Sequence, residues 1–181
     1  MKYKIKNIIA LSSVLLITQN ISASGFTIDS NDLKGQISNN QVFNGFGCNG
    51  KNISPQISWS NIPKGTKSFA ITMYDKDAPT GSGWWHWVVV NINKDVTSIK
   101  SGASKSDMPK NSIQSKTDFN TNNFGGACPP KGSKAHEYIT TVYALDVERL
   151  PINTNSNPAL AGYMINSHTI EKSSIVNYYK R

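Results

Sequence analysis

The chain has 181 residues, 38% hydrophobic and 17% charged, with 13 Gly, 8 Pro and 2 Cys. That length suits one globular domain, and the composition excludes a disordered or coiled-coil chain. The formal charge of +8 raises nucleic acid and membrane surfaces as candidate partners, so the position of the charges decides.

Residues 1–23 read as a secretory signal peptide. Lys2, Lys4 and Lys6 open the chain, an uncharged and mostly apolar run covers Ile8–Ile17, and Ser22, Ala23, Ser24 and Gly25 supply a small-residue exit. A run this short falls well below the roughly 20 residues a membrane-spanning helix needs. Cleavage is expected after Ala23, leaving 24–181 as one exported domain, with the periplasm the expected location and secretion the alternative. Removing the leader takes three lysines and leaves a surplus of five. Only Arg149 and Arg181 are arginines, and the remaining lysines are scattered. Nucleic-acid binders cluster Arg and Lys on one face or interleave them with stacking aromatics. Neither pattern is present, so no nucleic-acid partner is expected. No later segment is long and apolar enough to span a membrane. Export also favours a disulfide between Cys48 and Cys128, with two free buried thiols as the alternative.

The mature chain predicts a β-dominated domain. Apolar runs rich in β-branched and aromatic residues recur between turn signals at Ile53–Trp59, Ser68–Tyr74, Trp85–Ile92 and His136–Val147. Trp85–Ile92 is nearly continuous apolar sequence, as expected of a strand buried on both faces. The Asn-rich stretch 93–123 reads as loops with one short strand. Pro158–Ile165 predicts a helix capped by Asn157, and Ser173–Tyr179 a last strand.

Three clusters carry candidate chemistry. Asp75 and Asp77 stand at i and i+2 ahead of Pro79 and two glycines. In extended chain both carboxylates point one way, able to bind a cation, share a proton or orient a histidine. The plainer alternative is a turn whose Asp side chains cap backbone amides. Next, His86 stands among Trp84, Trp85 and Trp87 at the start of the most apolar strand, as a pocket group or a satisfied structural histidine. The third cluster runs from Gly125-Gly126 through Cys128-Pro129-Pro130 to His136-Glu137-Tyr138. Glycines let the backbone approach a ligand and prolines stiffen the loop. Strand alternation places His136 and Tyr138 on one face and Glu137 on the other. Two histidines, an Asp pair and a glycine loop together suggest an anion pocket.

Asp75-Lys76-Asp77-Ala78-Pro79 followed by Trp85-His86-Trp87-Val88-Val89-Val90-Asn91 resembles the first signature of the phosphatidylethanolamine-binding protein family. Gly126 through Pro129-Pro130-Lys131-Gly132 to His136 and Tyr138 resembles the second. Asn52-Ile53-Ser54-Pro55 with Trp59, Gly65-Thr66-Lys67-Ser68 and Gly81-Ser82-Gly83-Trp84 are similar to the bacterial Raf kinase inhibitor-like (YbhB/YbcL type) branch. The resemblance implies a large central sheet packed on a smaller one, with short peripheral and C-terminal helices. It also implies a small pocket for phosphate-type head groups. By motif, the pocket residues are Asp75, Pro79, His86, Gly126, Pro129, Pro130, His136 and Tyr138, supported by Asp77 and Trp85. His168 is read as structural, near the pocket only by resemblance. The family pattern has Pro where Lys76 stands and Arg where Glu137 stands, so the pairing of that Arg must be rebuilt or lost.

These readings lead to a non-catalytic binding protein for a phosphorylated or phosphoethanolamine-type ligand, free or on a lipid or modified protein. The resemblance adds kinase- or protease-inhibitor-like regulation as an expectation. Neither cofactor nor metal is expected. The alternative is a metal- or water-dependent hydrolase using Asp75, Asp77 and His86. It lacks an H-E-x-x-H or G-x-S-x-G motif to support it.

Overall fold

A computed structural model describes residues 25–181; the expected targeting segment, 1–23, lies outside the described residues. The long apolar runs form one five-stranded antiparallel sheet. Its central strands are β5 (Ser68–Asp75) and β6 (Trp84–Asn93), flanked by β9 (His136–Leu145), β10 (Thr169–Tyr179) and the two-residue β8 (Ile113–Gln114). The strand order is β10-β9-β5-β6-β8. A smaller sheet of β1 (Thr27–Asp29), β4 (Ile57–Ser60) and β7 (Ser98–Ile99) is ordered β1-β4-β7. A hairpin of β2 (Asn44–Gly45) and β3 (Cys48–Asn49) stands apart from both. This is the sheet-on-sheet architecture expected from the sequence.

Burial explains the composition of the central strands. One face of the large sheet presents Phe69, Ile71, Met73, Trp87, Val89 and Val142 to the small sheet, which contributes Ile57, Trp59 and Ile99. The other face presents Ala70, Val88, Val90, Tyr143 and Leu145 to the one α-helix among the described residues, α1 (Pro158–Ser167), through Ala161 and Ile165. Strands covered on both sides bury residues at every position, so apolar sequence runs without alternation. Helix α1 starts as expected. Asn157 accepts a bond from the Leu160 amide, and Pro158 occupies the first turn, where its missing N–H is no loss.

Three expected boundaries move. The Ile53–Trp59 run becomes a strand only from Ile57, and the last strand starts at Thr169 rather than Ser173. The 93–123 stretch holds two short strands and a 3-10 turn at Ala103–Lys105. The elements within 93–123 are too short to show a period, and β10 is an edge strand whose first residues are mostly exposed, so no apolar run marks its start.

Strand β6 breaks step with β5 twice. Met73 lies opposite Trp87 but Tyr74 opposite Trp85, which makes His86 an extra residue. A second shift falls between Phe69 and Ile71. Bulges of this kind bend a strand and re-aim side chains.

Cys48 and Cys128 are disulfide-bonded, 80 positions apart. The bond joins the β2–β3 hairpin to the loop entering β9. In the chain-entropy picture, closing that loop stabilises by about 4 to 5 kcal/mol. Urea denaturation of the Cys48→Ala, Cys128→Ala double variant should show a loss of that order, and reductant should leave the variant unaffected.

Candidate functional site

The carboxyl end of β5, the start of β6 and the start of β9 meet at one edge of the large sheet around a cavity of about 160 Å³. Asp75 and Tyr138 are directly paired in the β5–β9 ladder. The bulge at His86 turns its ring to the same side. Asp75, His86, His136 and Tyr138 are each at most 3% exposed and all four line the cavity. Pro79, Pro129 and Pro130 form its rim.

Each polar group on the floor is held by one defined bond. The His136 Nδ1–H donates to Asp75 Oδ2 at 2.8 Å. The His86 Nδ1–H donates to the Gly125 carbonyl at 2.7 Å, and the Gly125 amide returns a bond to the His86 carbonyl at 2.9 Å. A carbonyl can only accept, so the neutral His86 ring carries its proton on Nδ1 and a lone pair on Nε2. Burial lowers the His86 pKa from 6.5 to about 4, with the Gly125 carbonyl and Asp75 opposing the shift. His86 is therefore neutral at pH 7 and donates to an anion only after taking up a proton.

The Tyr138 hydroxyl is buried beside the Asp75 carboxylate. Burial, then the nearby Asp75 charge, push its pKa above the ordinary tyrosine value, so it stays a neutral O–H donor. Tyr138 lines the cavity.

The Asp pair separates. Asp75 Oδ1 accepts the Asp77 amide at 2.9 Å, closing a turn. Asp77 swings outward, where Lys134 reaches Oδ1 at 2.8 Å and the Glu137 amide donates to Oδ2 at 2.9 Å. The Lys134 ammonium, then the Glu137 amide, hold the Asp77 carboxyl below its ordinary pKa. Asp77 thus braces the loop between Pro130 and β9, and the two carboxylates do not converge on one ion.

Two more expected positions, Trp85 and Gly126, lie off the wall, and His168 is structural as read. Trp85 points to the opposite face of the sheet, against Tyr74 and α1, because successive strand residues alternate sides. Trp84 lines the cavity in its place. Gly126 serves chain packing instead of ligand approach. Its amide donates to Asn52 Oδ1 at 2.7 Å, and a Cβ there would strike the backbone of residues 41–43. His168 sits at the far end of β9 from His136, bonded through Nδ1 to Asp146 at 2.9 Å.

Sequence reading missed the aromatic collar. Phe46 is 68% exposed and stacks on Phe119, with ring centroids 5.8 Å apart; Trp84 meets Phe119 edge-on at 5.4 Å. Phe119 is placed by its neighbour Asp118, which exchanges two backbone-anchored bonds with Trp85. Arg181 clamps the mouth, with Nε donating to the Pro129 carbonyl at 2.7 Å and a terminal nitrogen to that of Phe46 at 3.2 Å. The available signals were slight: an isolated Phe between two glycines, and another inside a polar loop. Lys76 and Glu137, the two departures from the family pattern, pair with each other at 3.0 Å on the outside of the sheet. The exchange of Arg for Glu is thereby compensated without touching the cavity.

Comparison with known proteins agrees with this architecture. Residues 33–180 match the family described as phosphatidylethanolamine-binding protein. UPF0098 protein YbcL of Escherichia coli is 46% identical over 180 residues, covering 97% of this chain and 98% of that one. UPF0098 protein YbhB of the same organism is 45% identical over 150 residues, covering 81% and 94%. The crystal structure of E. coli YbcL, described as a new member of the mammalian PEBP family, superposes with a TM-score of 0.86 at 47% identity. It covers 87% of this chain and 99% of that one. The chain belongs to the phosphatidylethanolamine-binding protein family.

Proposed function

We propose that this chain is an exported, periplasmic, non-catalytic binding protein for a small phosphorylated ligand, with phosphoethanolamine-type head groups as the leading class. The observation that carries the reading is the convergence of His86, His136 and Tyr138 with Asp75 on one cavity. Each histidine has Nδ1 already committed to the protein. That leaves one Nε2 on each ring to serve a ligand. A phosphate fits this floor, and the Phe46–Phe119–Trp84 collar suits the organic part of the molecule. Regulation of a kinase or protease would follow if the phosphate were carried on a protein.

The hydrolase alternative finds less support. Asp75 is engaged by His136 and the Asp77 amide, while Asp77 faces Lys134. The three groups it needs do not face a common water.

Calorimetric titration with inorganic phosphate and phosphoethanolamine, followed by histidine NMR, tests the reading. Both probes should shift the His86 and His136 signals without divalent metal. His86→Ala and His136→Ala should each weaken binding at least about tenfold, roughly the loss of one charge-assisted hydrogen bond. Recovery of dephosphorylated product would overturn it.

Proton linkage gives a second test. His86 is neutral in the free protein, so seating a ligand that is already a dianion on Nε2 requires one proton from solvent. Heats of phosphoethanolamine binding at pH 7, where its phosphate is largely dianionic, in buffers of different ionisation enthalpy should report uptake of about one proton per ligand. His86→Gln should abolish that uptake.

The same group shapes stability. The folded pKa of about 4 lies below the unfolded value of 6.5, so the unfolded chain binds the extra proton first. His86 leaves stability intact above pH 6.5 and destabilises progressively as pH falls toward 4, by about 3 kcal/mol at the end. Denaturation midpoints across that range should fall in the parent protein and flatten in His86→Gln.

A further inference from the structure

A second recess, of about 410 Å³, opens at the opposite end of the large sheet, where β5 begins and β6 ends. Its walls carry Lys67, Lys94, Lys110 and Arg149 against a single carboxylate, Glu148. Lys94 is paired with Asp95 at 2.7 Å. Lys67, Lys110 and Arg149 form no ion pair among the described residues. Three cations facing one recess repel each other, and a bound anion would relieve that repulsion.

Backbone geometry shows that this end is held in shape. The second register shift of β6 falls here, and Asn91 adopts a left-handed φ of 60° inside the strand. Its buried amide grips the next loop from both sides: Oδ1 accepts the Leu150 amide at 2.7 Å, and Nδ2 donates to the Leu150 carbonyl at 3.3 Å. That clamp fixes residues 148–150 above the sheet end and so places Glu148 and Arg149 on the wall. Asn111, beside Lys110, is also left-handed, with φ 68°. Asparagine enters this region readily, so both turns form at little cost. The bulge and the Asn91 clamp on one wall, with cations converging from four separate segments, argue for a site over a random lysine patch.

We propose that this recess binds a hydroxyl-rich ligand bearing two or more phosphate or sulfate groups. Lys67, Lys110 and Arg149 would meet the anionic groups, Arg149 in the bidentate manner its planar fork allows. Glu148 and the Asn111 amide would take ring hydroxyls. Aromatic side chains are absent from this wall, so charge and hydrogen bonding, not stacking, would select the ligand. The recess stands about 25 Å from the histidine pocket, the length of β5, and the proposal is independent of what that pocket binds.

The test is calorimetry and amide NMR on the protein at about 0.15 M salt, where diffuse surface attraction is screened. The probes are a myo-inositol trisphosphate and a glucose disulfate, each keeping free ring hydroxyls, with neutral sucrose and inorganic phosphate. Either polyanion, or both, should bind and shift amides at Lys67, Asn93, Asn111 and residues 148–150, which also tells phosphate from sulfate preference. Sucrose should not bind. Lys67→Glu and Arg149→Glu should each weaken binding at least tenfold, while Lys34→Glu on a distant surface should change it less than twofold. An unchanged amide spectrum away from the recess establishes that the variants fold. The proposal is overturned if neither polyanion binds at millimolar concentration. It also fails if Lys34→Glu weakens binding as much as Arg149→Glu, or if the shifts gather at His86 and His136.

Discussion

A strand covered on both faces has no solvent within reach of its middle, so polar side chains must find partners inside the protein or move to the strand ends. Strands β5 and β6 live under that constraint, with the small sheet on one face and α1 on the other. Their polar residues fall where it dictates. Asp75 and His86 stand at one end, and Asn91 near the other, each bonded to a specific partner. Both bulges of β6 occur beside these residues, since a bulge frees a side chain from strict alternation without breaking the sheet. The position of both recesses therefore follows from how the core is covered.

The histidine pocket holds its two imidazoles in different ways, one against a carboxylate and one against a backbone carbonyl. Asp75 is buried against His136, a pairing that orients the imidazole and leaves its outer nitrogen available. His86 is kept neutral by burial. The aromatic collar bears on both, since apolar walls strengthen any charge interaction made between them.

Much of this was legible in the sequence, for physical reasons. Continuous apolar runs announced the doubly covered strands, and Asn157-Pro158 announced the helix start. Period-two alternation placed His136 and Tyr138 together, with Glu137 behind them. What alternation hides is local departure from it. The extra residue at His86 is invisible without the partner strand, because a bulge is a property of a pair. The separation of Asp75 from Asp77 likewise depends on Lys134 and the Glu137 amide, distant in sequence. Trp85 was grouped with its neighbour His86, although adjacent strand residues face opposite ways. Phe46 and Phe119 reach the mouth through loops, where no periodicity exists to read. Gly126 carried a correct message of close approach, but its neighbour is the 41–43 backbone.

The mouth of the histidine pocket is assembled from segments far apart in the chain: the Phe46 turn, the Pro129 loop and Arg181, joined by the Cys48–Cys128 bond and by the two contacts of the Arg181 side chain. Contacts of such long sequence separation form late, because chain entropy opposes them until the intervening strands have paired. The core between the sheets can be complete while the rim is still open. The rim is complete only when the Arg181 contacts are made and the Cys48–Cys128 bond is closed. A chain that is folded by every measure of its core, yet reduced, would be a distinct and earlier species.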